Sequence, residues 1–147
     1  MRSPGMQAAI DEARAGEVEG GIPIGSALEI DGEIVGRGHN RRVQRGSAIL
    51  HGEMDALEAA GRLSPPEYRR STIYTTLSPC AMCTGAILLY QIPRVVIGEN
   101  RTFLGSESLL RSNGVSVDVI DDAECFDMMA RFIGENPDLW NEDIGEV

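Results

Sequence analysis

Apolar and polar positions alternate along the chain in two rhythms, one helical and one extended. Ser3-Pro4 reads as an N-cap with proline at the first helical position, and predicts a helix to about Gly16. Ile24 to Ile30 reads as a strand; Asp31-Gly32 is a two-residue hairpin signal, so Glu33 to Gly38 is expected to return antiparallel to it. A polar loop, His39 to Gly46, leads to a helix over roughly Gly52 to Gly61, with Met54, Leu57 and Ala60 as its expected apolar face. Pro65-Pro66 breaks the chain. Thr72 to Leu77 is short and β-rich, Ser78-Pro79 is read as opening a helix to about Tyr90, and Arg94 to Gly98 is a buried strand. Strand, helix, strand is a crossover unit, which makes these two strands parallel. A helix near Ser106 to Ser112 and a strand Val115 to Ile120 follow. Asp121 or Asp122 caps the next helix, with Phe126, Met129, Ala130 and Ile133 expected on one face, and Asn136-Pro137 restarts a short terminal helix holding Trp140. A hairpin followed by βα units predicts an α/β fold, a three-layer α/β/α sandwich around a mixed five-stranded sheet, in one domain over residues 1–147.

Composition narrows the partners. With 42% hydrophobic and 24% charged residues the chain is an ordinary globular one. Its net charge of −10 opposes binding to a polyanion, so no nucleic acid is expected. Arg41, Arg42 and Arg45 are a local exception, read as a solvated loop or as partners of nearby acids. No run of about 18 apolar residues is present, so no membrane partner is expected. The segment Met1 to Gly16 is charged throughout without an apolar signal-peptide core, and a cytoplasmic location is expected. Three cysteines, an odd count, argue against a disulfide framework.

The chemistry-bearing residues are His51, Glu53, Cys80 and Cys83. Both thiols fall in the first turns of the helix after the β-rich segment, where the helix N-terminus favours the zinc-binding thiolate. Alone, Cys-x-x-Cys also describes a redox dithiol; His51 supplies a third soft ligand and leaves a fourth tetrahedral position for water. Glu53, two residues from His51, can reach that water without binding the metal, and a metal with a proton-carrying carboxylate is what hydrolysis needs. A closed structural zinc site would need a fourth ligand from Cys125 or His39; Cys125 reads as a core cysteine beside Phe126 and Met129, and His39 as a structural or solvated residue.

His51-Gly52-Glu53 followed by Pro79-Cys80-Ala81-Met82-Cys83 matches the signature of zinc-dependent nucleobase deaminases. Further stretches narrow the resemblance: Gly36-Arg37-Gly38-His39-Asn40, Gly46 to Glu53, Thr75 to Ala86, Ile92-Pro93-Arg94, and above all Trp140-Asn141-Glu142-Asp143-Ile144-Gly145-Glu146. From about Gly20 to Glu146 the chain resembles the fungal-type cytosine deaminases, within the cytidine deaminase-like fold. The resemblance implies one zinc per chain on His51, Cys80 and Cys83, with Glu53 as proton carrier. It also implies a small nucleobase substrate, most simply cytosine, hydrolysed to uracil and ammonia. Asn40 would meet the O2 and N1 edge of the base and Asp143 its amino group, with Gly52 also among the substrate contacts. Ile24, Phe103 and Trp140 would wall the ring, the last two as a lid. A homodimer is implied too, and Met82, Ile87, Leu88, Leu89 and Tyr90 give the ligand helix apolar residues around most of its girth. The chain departs from the family's pattern at Asp55, Ala81, Asn141 and around Arg101 to Ser106, positions expected to surround the lid and to bear on substrate breadth. Deamination of guanine or another small heterocycle, tRNA adenosine deamination, and a zinc-stabilised binding module are the alternatives.

Overall fold

The computed structural model describes residues 2–147; Met1, the first residue of the expected domain, lies outside them. The chain runs α1 (Pro4–Val18), β1 (Gly25–Ile30), β2 (Glu33–His39), α2 (Arg42–Arg45), α3 (Gly52–Ala60), α4 (Pro65–Tyr68), β3 (Ser71–Leu77), α5 (Ala81–Leu89), β4 (Arg94–Glu99), α6 (Glu107–Ser112), β5 (Ser116–Val119), α7 (Ala123–Glu135) and α8 (Pro137–Asp143). The sheet order is β2-β1-β3-β4-β5. β1 pairs antiparallel with β2 and with β3, while β3–β4 and β4–β5 are parallel, which is the expected mixed sheet. Among the described residues no helix is long and apolar enough to cross a membrane.

Strand alternation builds the layers. Ala27, Tyr74 and Val96 turn to one face and pack with Met6, Ala9 and Ile10 of α1 and with Cys125 and Met128 of α7. Their neighbours Leu28, Ile73, Val95 and Ile97 turn to the other, against Ile87 of α5, Leu110 of α6 and Leu57 of α3. A third cluster, Ile22, Ile24, Leu77, Met129, Phe132 and Trp140, closes the end of the sheet where β1 begins and β3 finishes. Close approach at these layers depends on glycine. A Cβ on Gly25 would lie 2.0 Å from the Ala9 carbonyl oxygen, so α1 crosses β1 with backbone nearly touching backbone.

Several local expectations shift. The helix after β3 begins at Ala81 with Cys80 as its N-cap, two residues later than Ser78-Pro79 suggested. Ser78 is drawn away from capping because its hydroxyl donates to Glu107 (2.7 Å) and accepts from Gly105 N–H (2.8 Å). On α3 the buried side is Gly52, Glu53, Asp55 and Ala56, whereas Met54, Leu57 and Ala60 are half-buried. Polar residues take that inner side because they hold the site and its supports. On α7 the buried stripe is Cys125, Met128, Met129 and Phe132; Ala130 is exposed and Phe126 half-buried beneath Arg101, whose guanidinium lies 3.8 Å from the ring centroid. Two single-turn helices were not expected. α2 forms within the polar loop, and α4 forms at Pro65-Pro66, where Ser64 and Glu67 make a capping box.

Replacing Gly25 by alanine is expected to destabilise the fold by about 1–3 kcal/mol, the usual cost of overpacking, since the obstacle is backbone. Gly134→Ala on α7, where an added Cβ meets nothing, is expected to stabilise by about 0.4–1 kcal/mol. Urea unfolding of both variants checks the opposite signs.

Candidate active site

Three elements deliver the reactive side chains to one sheet edge. β3 ends at Leu77, and Ser78-Pro79 carries the chain to Cys80 at the start of α5, with Cys83 one turn on. α3 begins beside it, with His51 as N-cap and Glu53 in its first turn. Neither N-cap side chain makes a conventional capping bond, and the His51 ring and the Cys80 sulfur face each other. Cys80 Sγ lies 3.5 Å from His51 Nδ1, and one ligand atom from each of His51, Cys80 and Cys83 falls within 4.8 Å of the others.

The electrostatics suit a dication. Cys80 is pushed down to about 4, first by the Cys83 thiol donating to it, with help from His51 and against its burial. The Cys83 thiol is held well above the usual range by its bond to Cys80 and by burial. Burial works to keep His51 neutral, yet Cys80, Asp143 and Glu53 together raise it to about 9. Burial pushes Glu53 up to about 7 and raises Asp143 as well. One imidazole thus faces two thiols and two carboxylates in a buried space, a surplus of negative donors that protons partly neutralise. One imidazole nitrogen and two sulfurs at these separations are a zinc donor set, and they leave a position open. Binding the ion requires the His51 Nδ1 and Cys83 protons to leave.

The remaining expected residues gather around this centre. Ile24, His51, Glu53, Cys80, Phe103, Trp140 and Asp143 line a small, tight pocket that is partly open to solvent. The Phe103 and Trp140 rings meet edge-on, centroids 5.8 Å apart at 84°, and form one wall. Gly52 sits behind the pocket, where a Cβ would press on the Ile24 carbonyl at 3.0 Å. Asn40 is fully buried and also lies just behind. Its Nδ2 donates to Asp143 Oδ1 (2.9 Å), its Oδ1 accepts from Arg42 N–H (3.0 Å), and its own N–H bonds the Ile24 carbonyl (2.9 Å). Asn40 therefore fixes its own loop and reaches the pocket through Asp143, whose Oδ1 lies 3.6 Å from His51 Nε2. The pocket is also lined by Leu77, Ser78 and Ile144, which were not foreseen. Their signal was adjacency alone, Leu77 and Ser78 preceding Pro79-Cys80 and Ile144 following Asp143.

Other candidates fall elsewhere. His39 is clamped between Glu12 (2.9 Å) and Glu19 (2.8 Å), and Cys125 is buried in the core below α1. The arginine cluster does not form a patch: Arg41 pairs with Asp55 (2.8 Å), Arg42 bonds the Ala48 carbonyl (3.0 Å), and Arg45 is exposed. Asp55, expected near the lid, instead faces away from the pocket under β2, because His39 N–H and Arg41 bind its carboxylate there. The segment around Phe103 is anchored by two buried acids. Glu99 accepts from the N–H groups of Arg101 (2.7 Å) and Thr102 (3.0 Å), and Glu107 holds Ser78 and Asn100.

Residues 2–99 match the family described as the cytidine and deoxycytidylate deaminase zinc-binding region. Cytosine deaminase from Candida albicans is 61% identical over 143 residues, spanning 97% of this chain and 95% of that protein. A tRNA-specific adenosine deaminase from Streptococcus pyogenes is 43% identical over 106 residues, 71% of this chain and 67% of that one. Among solved structures, guanine deaminase from Nitrosomonas europaea shares the fold with a TM-score of 0.68 at 19% identity, covering 91% of this chain and 86% of that one. Both the extent of the match and the ligand set it encloses give one conclusion: this chain belongs to the zinc-dependent cytidine and deoxycytidylate deaminase family.

Proposed function

We propose that this chain is a zinc-dependent hydrolase that deaminates a free nucleobase, cytosine foremost, to uracil and ammonia, through a single domain over residues 1–147. The observation that carries the reading is the buried Glu53 carboxyl beside His51, Cys80 and Cys83, in a pocket walled by the Phe103 and Trp140 rings. Similarity to the Candida albicans enzyme along nearly the whole chain supports cytosine in particular. The tRNA reading is weaker, because a surface of net charge −10 repels a polyanion.

His51, Cys80 and Cys83 would hold one zinc, which when bound polarises water and makes it a nucleophile at neutral pH. Glu53 takes a proton from that water and passes it to the ring nitrogen beside the amino-bearing carbon. It then carries the second proton to the departing amino group, so one carboxyl serves both transfers. Burial keeps its affinity for protons near neutrality, where accepting and donating are both easy. Asp143 orients the amino group and Asn40 the opposite edge. Phe103, Trp140 and Ile24 stack around the ring and exclude solvent, with Gly52 giving the backbone room to approach. Asn40 and Asp143 each bond the other, so the substrate's two edges are read by one connected unit.

A homodimer accompanies this reading. α5 buries Ile87 but leaves Leu89 70% and Tyr90 43% exposed at its end, with Leu109 50% exposed on α6, an apolar surface suited to a second copy. The three cysteines are free, as suits the reducing cytoplasm.

Glu53→Gln is expected to retain one zinc per chain by metal analysis while steady-state turnover of cytosine falls at least about 10²–10⁴-fold. Unchanged turnover would remove Glu53 from the mechanism. Sedimentation at micromolar concentration is expected to give a dimer, and a monomer there contradicts the assembly. Ammonia release should show kcat/KM for cytidine about 10⁴-fold or more below that for cytosine. A ribose replaces the ring N–H at the Asn40 edge, and a site built on a substrate N–H rejects analogues lacking it by about 10⁴–10⁵. Comparable values for the two would falsify the free-base assignment.

A further inference from the structure

Asp55 is a buried carboxylate that the proposed chemistry does not use. One of its oxygens, Oδ2, accepts from the backbone N–H of His39 (3.0 Å) and from Arg41 Nε (2.8 Å). These are the residues on either side of Asn40. Asp55 itself stands two positions after Glu53 on α3, the helix that opens with His51. β2 lies flush on this carboxylate: a Cβ at Gly38 would sit 2.4 Å from Oδ2, so glycine is needed there for the seat to exist.

We propose that Asp55 is a positioning residue for substrate recognition, holding Asn40 in register with the helix that carries His51 and Glu53. The inference rests on the deaminase reading above and extends it to a residue that touches neither substrate nor metal. Two charge-assisted bonds from one oxygen fix the chain before and after Asn40, restraining the rotation that would swing its amide. The amide then points at Asp143, 2.9 Å away, and the two substrate-reading groups stay aligned with the proton carrier. Other bonds hold the loop's path, since Asn40 N–H reaches the Ile24 carbonyl and Arg41 N–H the Leu50 carbonyl, each at 2.9 Å. Loss of Asp55 therefore leaves the loop in place and loosens its aim. A departure of the sequence from its family's pattern acquires a role through this contact: Arg41 and Asp55 form a clamp on the loop's blind side.

The test is a double-mutant cycle on the zinc-loaded enzyme, read as kcat/KM for cytosine and as the dissociation constant for uracil, so that a slow variant still reports. Asp55→Ala is expected to lower kcat/KM about 10–100-fold, the usual effect of removing a supporting partner, with zinc content unchanged. Asp55→Asn, which keeps an acceptor for His39 N–H, should recover part of the loss. In an Asn40→Ala background the Asp55→Ala substitution should cost no more than about twofold, because the residue it positions is gone. Arg41→Gln removes one arm of the clamp at a partly exposed side chain and serves if Asp55→Ala fails to fold; its smaller loss should vanish in the same background. Wild-type kcat/KM in Asp55→Ala, equal losses in the two backgrounds, or a loss that tracks zinc content overturns the proposal. A wild-type chain that turns over no cytosine overturns the deaminase reading, and this inference with it, whereas turnover with an additive cycle overturns this inference alone.

Discussion

Two helices that begin without a side-chain cap are the constraint on which the rest depends. Serine, threonine, aspartate or asparagine normally satisfies the free N–H groups at such a start, and its absence costs about 1 kcal/mol. α3 and α5 place His51 and Cys80 there instead, and neither side chain makes a conventional capping bond. What is lost in capping is recovered in placement: both starts sit at one edge of the sheet, their partial positive charge facing the thiolate and the carboxylates. The sheet order makes this possible. β3 is antiparallel to β1 and parallel to β4, so the chain leaving β3 enters α5 next to the loop that follows the β1–β2 hairpin. The layers exist to hold two helix ends a few ångströms apart.

Buried acids divide into two groups by what they face. Glu53 and Asp143 look into the pocket, where burial raises both. Asp55, Glu99 and Glu107 look away from it, and each is satisfied by backbone N–H groups or by fixed side chains. An unpaired buried carboxylate is costly, so each of these acids pins the segment that supplies its donors. Asp55 pins the Asn40 loop; Glu99 and Glu107 pin the segment bearing Phe103.

The extended segments were legible because strands covered on both faces are short buried runs rich in β-branched residues and bounded by turn signals, and β1 to β5 fall within a residue or two of their expected ends. The metal ligands and Glu53 were legible because few residue types do that chemistry and their spacing is short. The apolar stripes were less so. α7 carries apolar residues on more than one flank, and only packing against the sheet, α1 and α8 decides that Cys125, Met128, Met129 and Phe132 face inward rather than Ala130. On α3 polarity misled, because Glu53 and Asp55 are buried for the site's sake while Met54 is only half so. Ser78 misled for a similar reason. A serine before proline is a strong cap signal, but nothing local reveals that Glu107, 29 residues on, will take its hydroxyl. The α4 turn, by contrast, is signalled by Ser64 and Glu67 as a capping box, and its two prolines occupy first-turn positions where proline is tolerated.

The family match ends at residue 99 and therefore contains His51, Glu53, Cys80 and Cys83 but not Phe103, Trp140 or Asp143. The boundary has a physical meaning. The groups proposed to hold zinc and carry protons lie within the matched part, at the starts of α3 and α5. The aromatic wall and the carboxylate that meets Asn40 come from the segment after β4 and from α8, which packs on α7 through Trp140, Phe132 and Met129. In this chain the second part folds over the slot: Trp140 and Phe103 close one side, and Asp143 turns back to Asn40 and His51. An oligonucleotide strand would have to pass where these groups stand, and the overall charge would oppose its approach. On the proposed reading, then, reaction type is set by the helix starts and substrate size by the chain's last third, joined through Asn40 and Asp143.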